Sequence, residues 1–351
     1  MFRLIRAGLT AGVLVLGATA CGGDDSDTEA PDPTEAPDPT EAAPADSTAA
    51  SGSDDTAAPT DSAAPVTDAP VAAFPVTVDG GSGPVTLDAA ASRIVSLSPT
   101  HTEMLYAIGA GDQIHAVDSL SNYPPESADT LTELSAFEPN VEAIAGFEPD
   151  LVVIGDDSSG ISSQLTGLGI PVWFGPAAVT FDDVYVQLEQ LGALTGQLGG
   201  AAEVVLQMRT DIDEILASVP ESPEPLTYYH ELDNTYFSVT SNTFIGQVYS
   251  LLGLRNIADM TEGQTDYPQL SAEFIVSQDP DIIFLADTKC CGQTTQTVAE
   301  RPGWQNLQAV RNGTVIEMDD DIASRWGPRV VEYLRLASEA VATAVAADAA
   351  S

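Results

Sequence analysis

The chain has 351 residues, with 53 Asp or Glu against 11 Lys or Arg and a formal net charge of −42. A surface this acidic excludes nucleic acid as a partner, because a phosphate backbone needs Lys and Arg to neutralise it. With 44% hydrophobic residues and three cysteines, there is ample material for a large core and too few thiols for a disulfide framework.

Residues 1–21 are expected to be an export signal. Arg3 and Arg6 precede an apolar run from Ala7 to Ala20, which is too short to span a bilayer. The run ends in Ala18-Thr19-Ala20-Cys21, which resembles the lipobox of bacterial lipoproteins, where the cysteine is acylated and becomes the new N-terminus. On that resemblance Cys21 is the lipidation site; an ordinary cleaved signal peptide is the competing reading. Residues 22–73 carry thirteen acidic side chains and no Lys or Arg, and the hexapeptide TEAPDP occurs twice in succession. Such a segment cannot bury enough apolar surface to offset its backbone entropy, so it is expected to be a disordered, extended tether.

From Phe74 to Leu87 the pattern predicts a hairpin, with Val76 and Val78 facing Val85 and Leu87 across Asp79 to Pro84. Short apolar runs then alternate with helical ones: Ile94 to Leu97, Glu103 to Ile108, Ile114 to Val117, Val141 to Phe147, Leu151 to Ile154, Ile161 to Leu168 and Pro171 to Phe174. Strands that are apolar without alternation fit a parallel sheet covered on both faces. Phe181 to Leu194 and Gly200 to Val219 read as helices, the second about 30 Å long. Alternation resumes with Leu226 to Leu232, Tyr236 to Val239, helices from Thr243, Ser271 and Pro328, and strands at Ile282 to Ala286 and Val315 to Met318. The expected fold is α/β: two Rossmann-like lobes, 74–180 and 220–351, joined by a helical linker over 181–219 with one long helix, and a cleft between them.

One element occurs twice. Glu142 is followed seven residues later by Pro149-Asp150 and an apolar strand, and Glu273 is followed seven residues later by Pro280-Asp281 and another. Each glutamate stands at a helix start, where the helix dipole favours it; two at matched places suggest a second purpose.

These residues resemble the helical-backbone metal-chelate receptors, the substrate-binding proteins for cobalamin, ferric siderophores and haem. The likeness runs from about Arg93 to Val341. It is carried by Arg93 to Thr100 with Thr102-Glu103, by Asn122-Tyr123-Pro124, Pro139-Asn140-Val141-Glu142 and Tyr267-Pro268-Gln269, and by Ser324-Arg325-Trp326-Gly327-Pro328-Arg329. The resemblance implies capture of cobalamin or a ferric siderophore as transported ligand, with no intrinsic cofactor. It implies a monomer at the extracytoplasmic face of the cell membrane, lipid-anchored, that delivers the chelate to an ABC permease with its ATPase subunits. On the family pattern Tyr123, Phe137 and Tyr267 match aromatic walls of the cleft, Asp321 and Arg325 match polar positions of the second lobe, and Glu142 and Glu273 match the glutamates that dock on the permease. Phe137 and Tyr267 stand where tryptophans are common in cobalamin binders, which keeps haem or another chelate open.

His101, following the first strand, is a candidate ligand contact, His115 is expected in the core, and His230 opens the second lobe. Gathering the three would give a bare zinc or manganese site, an alternative to chelate binding. Cys290 and Cys291 fit a vicinal disulfide, a metal or cobalt contact, or a labile redox pair. The motifs of hydrolases, phosphate loops and zinc proteases do not occur, and no catalytic residue is expected. A ligand-sensing surface module is the third reading.

Overall fold

The computed structural model describes residues 72–261 and 265–350. The expected signal peptide, the lipidation site Cys21 and nearly all of the tether lie outside the described residues. The chain enters through the antiparallel hairpin of β1 (Val76–Gly80) and β2 (Gly83–Leu87), with Val76 opposite Leu87 and Val78 opposite Val85. Its turn is only Gly81-Ser82, and the Gly81 N–H donates to the Phe174 carbonyl at 2.7 Å.

The first lobe is built from β3 (Ile94–Leu97), α1 (Pro99–Ala107), β4 (Ile114–Val117), α2 (Val141–Ala145), β5 (Leu151–Ile154), α3 (Ile161–Gly167) and β6 (Val172–Phe174). Two helices follow, α4 (Phe181–Thr195) and α5 (Leu198–Ser218). The second lobe contains β7 (Thr227–Glu231), α6 (Phe244–Leu251), β8 (Arg255–Asn256), α7 (Ala272–Gln278) and β9 (Ile282–Leu285). It continues through α8 (Thr288–Cys291), α9 (Thr295–Ala299), α10 (Gln308–Asn312), β10 (Val315–Glu317), α11 (Asp320–Ser324) and α12 (Val330–Ala350).

Both sheets are parallel, ordered β4-β3-β5-β6 and β10-β9-β7-β8. In each, the first strand lies between the second and third, so the lobes repeat one topology. The duplicated Pro-Asp element explains part of this. The Asp150 carboxylate accepts the N–H groups of Ser92 and Arg93 at the entry to β3, and the Asp281 carboxylate accepts the N–H of Thr227 at the start of β7. In each lobe the third strand thereby fixes the start of the first. Asn140 and Ser271 cap α2 and α7 with side-chain oxygens, leaving Glu142 and Glu273 exposed in the first turns.

Helix α5 buries Val205, Met208, Ile212 and Ile215 against α4 and α12. One apolar core runs from Ile94 and Met104 through these residues and Leu334 into Tyr228 and Phe284 of the second lobe. The lobes therefore share a continuous floor. Two expectations are corrected. Tyr236 to Val239 is not a strand; the segment makes one isolated bridge, Phe237 with Gln269, and Tyr236 has φ of 69°. His115 is exposed, not in the core, because β4 is an edge strand and the alternating side chains Ile114 and Ala116 take the buried face.

A candidate ligand cleft at the carboxyl edges of two sheets

Parallel α/β sheets bind ligands beyond the carboxyl ends of their strands. Here the ends of both sheets open into the space between the lobes. Ser98 to Thr100 after β3, Ser119 to Asn122 after β4, Gly155-Asp156 after β5 and Asp321 to Trp326 beyond β10 line an open cleft of about 450 Å³. A narrower extension runs between Ala178, Phe244 and Tyr267, sharing Ser324, Arg325 and Trp326 with the main space.

Of the expected aromatic walls, Phe137 lines the main space and Tyr267 the extension, and both rings are largely free at 77% and 54% exposure. Tyr123 does not join them. Its ring lies under the Arg329 guanidinium, 3.9 Å from centroid to cation, and faces a separate cavity between α1, α5 and α12. Asp321 and Arg325 both line the cleft, but Arg325 is already engaged. Its guanidinium donates to Glu103 at 2.8 Å, Asn122 at 2.9 Å, the Leu120 carbonyl at 3.2 Å and Asp321 at 2.8 Å. Asp321 also receives Asn122 and Lys289, each at 3.0 Å.

Glu103 is the centre of this arrangement. Its side chain, on α1 and 2% exposed, takes Arg325 and, through both oxygens, Arg329. Two arginines from the loop before α12 thus converge on one carboxylate of the first lobe. Gly327 permits it, since a Cβ there would come within 3.3 Å of Glu103 Oε2. Glu103 and Arg329 both stand in the motifs that carry the family likeness, with no local signal that they pair.

His101 is corrected as a ligand contact. It is fully buried behind the cleft wall, with Nδ1 2.7 Å from Ser98 Oγ and Nε2 3.0 Å from Gln187 Oε1. Burial holds its pKa down at about 4, against a smaller upward pull from the Gln187 bond. His230 is buried in the second lobe against the Tyr249 hydroxyl, and burial lowers it to about 3. The three histidines are not brought together.

Cys290 and Cys291 form a vicinal disulfide at the exposed end of α8. Beneath them lies a buried group that sequence reading missed. Glu231 at the end of β7 receives a two-pronged bond from Arg301, and Asp287, just beyond β9, is fully buried beside it. Among the described residues no donor faces either Asp287 oxygen. Burial, reinforced by the neighbouring Glu231, raises the Asp287 carboxyl to about 7.

Two α/β lobes of one topology, joined by a long helix and opening a cleft at their carboxyl edges, define a two-lobed solute-binding protein. The chain belongs to the periplasmic binding protein family, matched over residues 94–322. It is 30% identical to an uncharacterized ABC transporter substrate-binding lipoprotein, YvrC, of Bacillus subtilis over 277 residues, 76% of this chain and 86% of that protein. It is 32% identical over 269 residues to a cobalamin-binding protein of Halobacterium salinarum, covering 74% and 72% of the two chains. The crystal structure of the periplasmic vitamin B12 binding protein BtuF of Vibrio cholerae superimposes with a TM-score of 0.59 at 26% identity, over 72% of this chain and 98% of that one.

Proposed function

We propose that the chain is the extracytoplasmic substrate-binding component of an ABC importer, held at the membrane through Cys21, and that its ligand is a corrinoid of the cobalamin class. The observation that carries the choice of ligand is the charge of the cleft. Its charged lining residues are Asp156, Asp321 and Arg325, and Arg325 is committed to Glu103, Asn122 and Asp321. Haem propionates or a polyanionic catecholate chelate would meet carboxylates with no uncommitted cation to pair with, at a desolvation cost. A corrin ring fringed with neutral amides meets hydrogen-bonding partners instead, and exposed Phe137 and Tyr267 offer aromatic surface for its flat faces. The cobalamin-binding relative supports the same reading.

Calorimetric titration of the chain lacking residues 1–71 with cyanocobalamin, a ferric hydroxamate and haemin tests this. Cyanocobalamin should bind much the tightest, and Phe137→Ala and Tyr267→Ala should each weaken it roughly five- to 150-fold, as for aromatic anchors that become buried on binding and are worth about 1–3 kcal/mol. Preference for haemin or the hydroxamate sinks the corrinoid assignment.

Docking is assigned to Glu142 and Glu273. Two carboxylates exposed at equivalent helix starts of two equivalent lobes can straddle a symmetric partner and fix orientation by charge. Reversing both to Lys should abolish cobalamin uptake in cells while the dissociation constant of the isolated protein stays within about twofold. A large loss of affinity would place them in the cleft or the fold.

A further inference from the structure

Three tryptophans occur in the chain, and two, Trp173 and Trp304, are completely buried. Trp326 is only partly buried, and it lines both the main cleft and its extension. It belongs to the loop before α12, yet its indole N–H donates at 3.0 Å to Gln187 Oε1 on α4, the helix that packs on α1 of the first lobe.

That acceptor is defined by what surrounds it. The Gln187 amide nitrogen donates to the Pro176 carbonyl at 2.7 Å, so the oxygen is left facing inward. His101 Nε2 approaches the same oxygen at 3.0 Å and must carry its proton to do so, which leaves Nδ1 to accept from Ser98 Oγ. The His101 ring also packs nearly perpendicular to Trp326 and to Trp173, with centroids 5.8 and 5.0 Å away. Gly175 closes the site, since a Cβ there would come within 2.4 Å of His101 Nε2. One oxygen thus holds two N–H donors, one from each side of the lobe junction.

We infer that Trp326 is the fixed aromatic wall of the ligand cleft, and that Gln187 and His101 are positioning residues that set its ring before the ligand arrives. The inference rests on the corrinoid reading for its ligand, not for the positioning. A side chain held by a neutral buried relay loses little rotamer freedom on binding, so its contact enters affinity with small ordering cost. Phe137 and Tyr267, both more exposed, line the same cleft and its extension.

The test has a ligand-free arm and a binding arm. As Trp326 is the one tryptophan with exposed surface, quenching by acrylamide reports chiefly on it. Gln187→Leu should raise the quenching constant at least twofold; an unchanged constant overturns the positioning role. With cyanocobalamin as probe, Trp326→Ala should weaken binding by ten- to 100-fold, and Gln187→Leu by three- to tenfold. In a Trp326→Phe background, which lacks the indole N–H, Gln187→Leu should cost almost nothing further; a full additive loss would mean that Gln187 acts through the fold and not through Trp326. Wild-type affinity of Trp326→Ala in the folded fraction overturns the wall. If the unaltered chain does not bind cyanocobalamin, the ligand reading falls and the quenching comparison still decides the positioning.

Discussion

Glu103→Ala should lower stability by about 3–5 kcal/mol, the range found when one partner is removed from a buried ion pair. The size follows from what is left behind. The Arg325 and Arg329 side chains are 9% and 13% exposed. Arg325 would keep Asp321, Asn122 and the Leu120 carbonyl. Among the described residues Arg329 would keep the face of Tyr123 and the more distant charge of Asp319. Glu103→Gln retains an acceptor of the same shape and should cost less than Glu103→Ala. Urea midpoints of the three proteins measure this, and a loss under 1 kcal/mol for the alanine variant would show that the clamp carries no net stability. The consequence for function is geometric. With a shared apolar floor through α5 and α12 and a clamp from Glu103 to two arginines, the lobes cannot part widely without breaking both. The cleft is accordingly close to its working width before ligand enters, and the same variant should lose cyanocobalamin affinity by about tenfold or more through added freedom between the lobes.

The sheets were legible because each central strand is a continuous apolar run that has to be covered on both faces, as Leu151 to Ile154 and Ile282 to Leu285 are. The matched Pro-Asp turns revealed the duplication, since one hydrogen-bonding device is used in both lobes. What could not be read is what the fold brings together over long separations. Arg325 and Glu103 are 222 residues apart. Nothing local distinguishes a glutamate on α1 that will face two arginines from one that caps a helix. Trp326 was visible as part of a motif, but its role depends on Gln187, 139 residues earlier. His101 misled for the opposite reason. Its place after a strand is right for a cleft residue, yet α1 turns its ring inward against Trp173. Two-residue β8 has no periodicity to detect, and Tyr236 has strand composition in a backbone that turns at positive φ, held by stacking on Trp304.

The stability advantage of Asp287→Asn over the unaltered protein should grow as pH rises from 5 toward and through 7. Asp287 is fully buried, with its oxygens facing no donor among the described residues. The charged groups near it are Glu231 on β7, Arg301 after α9 and Asp320 on α11, with the Tyr229 hydroxyl also close. Arg301 is already forked onto Glu231, so ionised Asp287 would be a second buried carboxylate for one cation. Its carboxyl titrates at about 7 when folded, well above its ordinary value of 3.8. The folded state therefore holds a proton that the unfolded chain has lost, and stability declines across that interval by at most about 1.4 kcal/mol per pH unit. His101 and His230 act with the opposite sign. Burial lowers them from 6.5 to about 4 and about 3, so the unfolded chain takes up protons first and stability drops on acidification below 6.5. The effects oppose between about 4 and 7, so the net profile of the unaltered protein is shallow and the difference between it and Asp287→Asn isolates the carboxyl. Asparagine keeps a neutral donor for Glu231 at every pH. The advantage of the variant should widen by roughly 2–3 kcal/mol between pH 5 and pH 8, most of it below pH 7. Denaturant midpoints across pH 5–8 read this directly. A difference between the two proteins that stays constant from pH 5 to 8 would mean that Asp287 is already ionised in the fold. The turn at stake bears Lys289, whose ammonium bonds Asp319 and Asp321 beside the cleft. A proton lost beneath the vicinal disulfide would thus loosen the rim that Asp321 and Arg325 share.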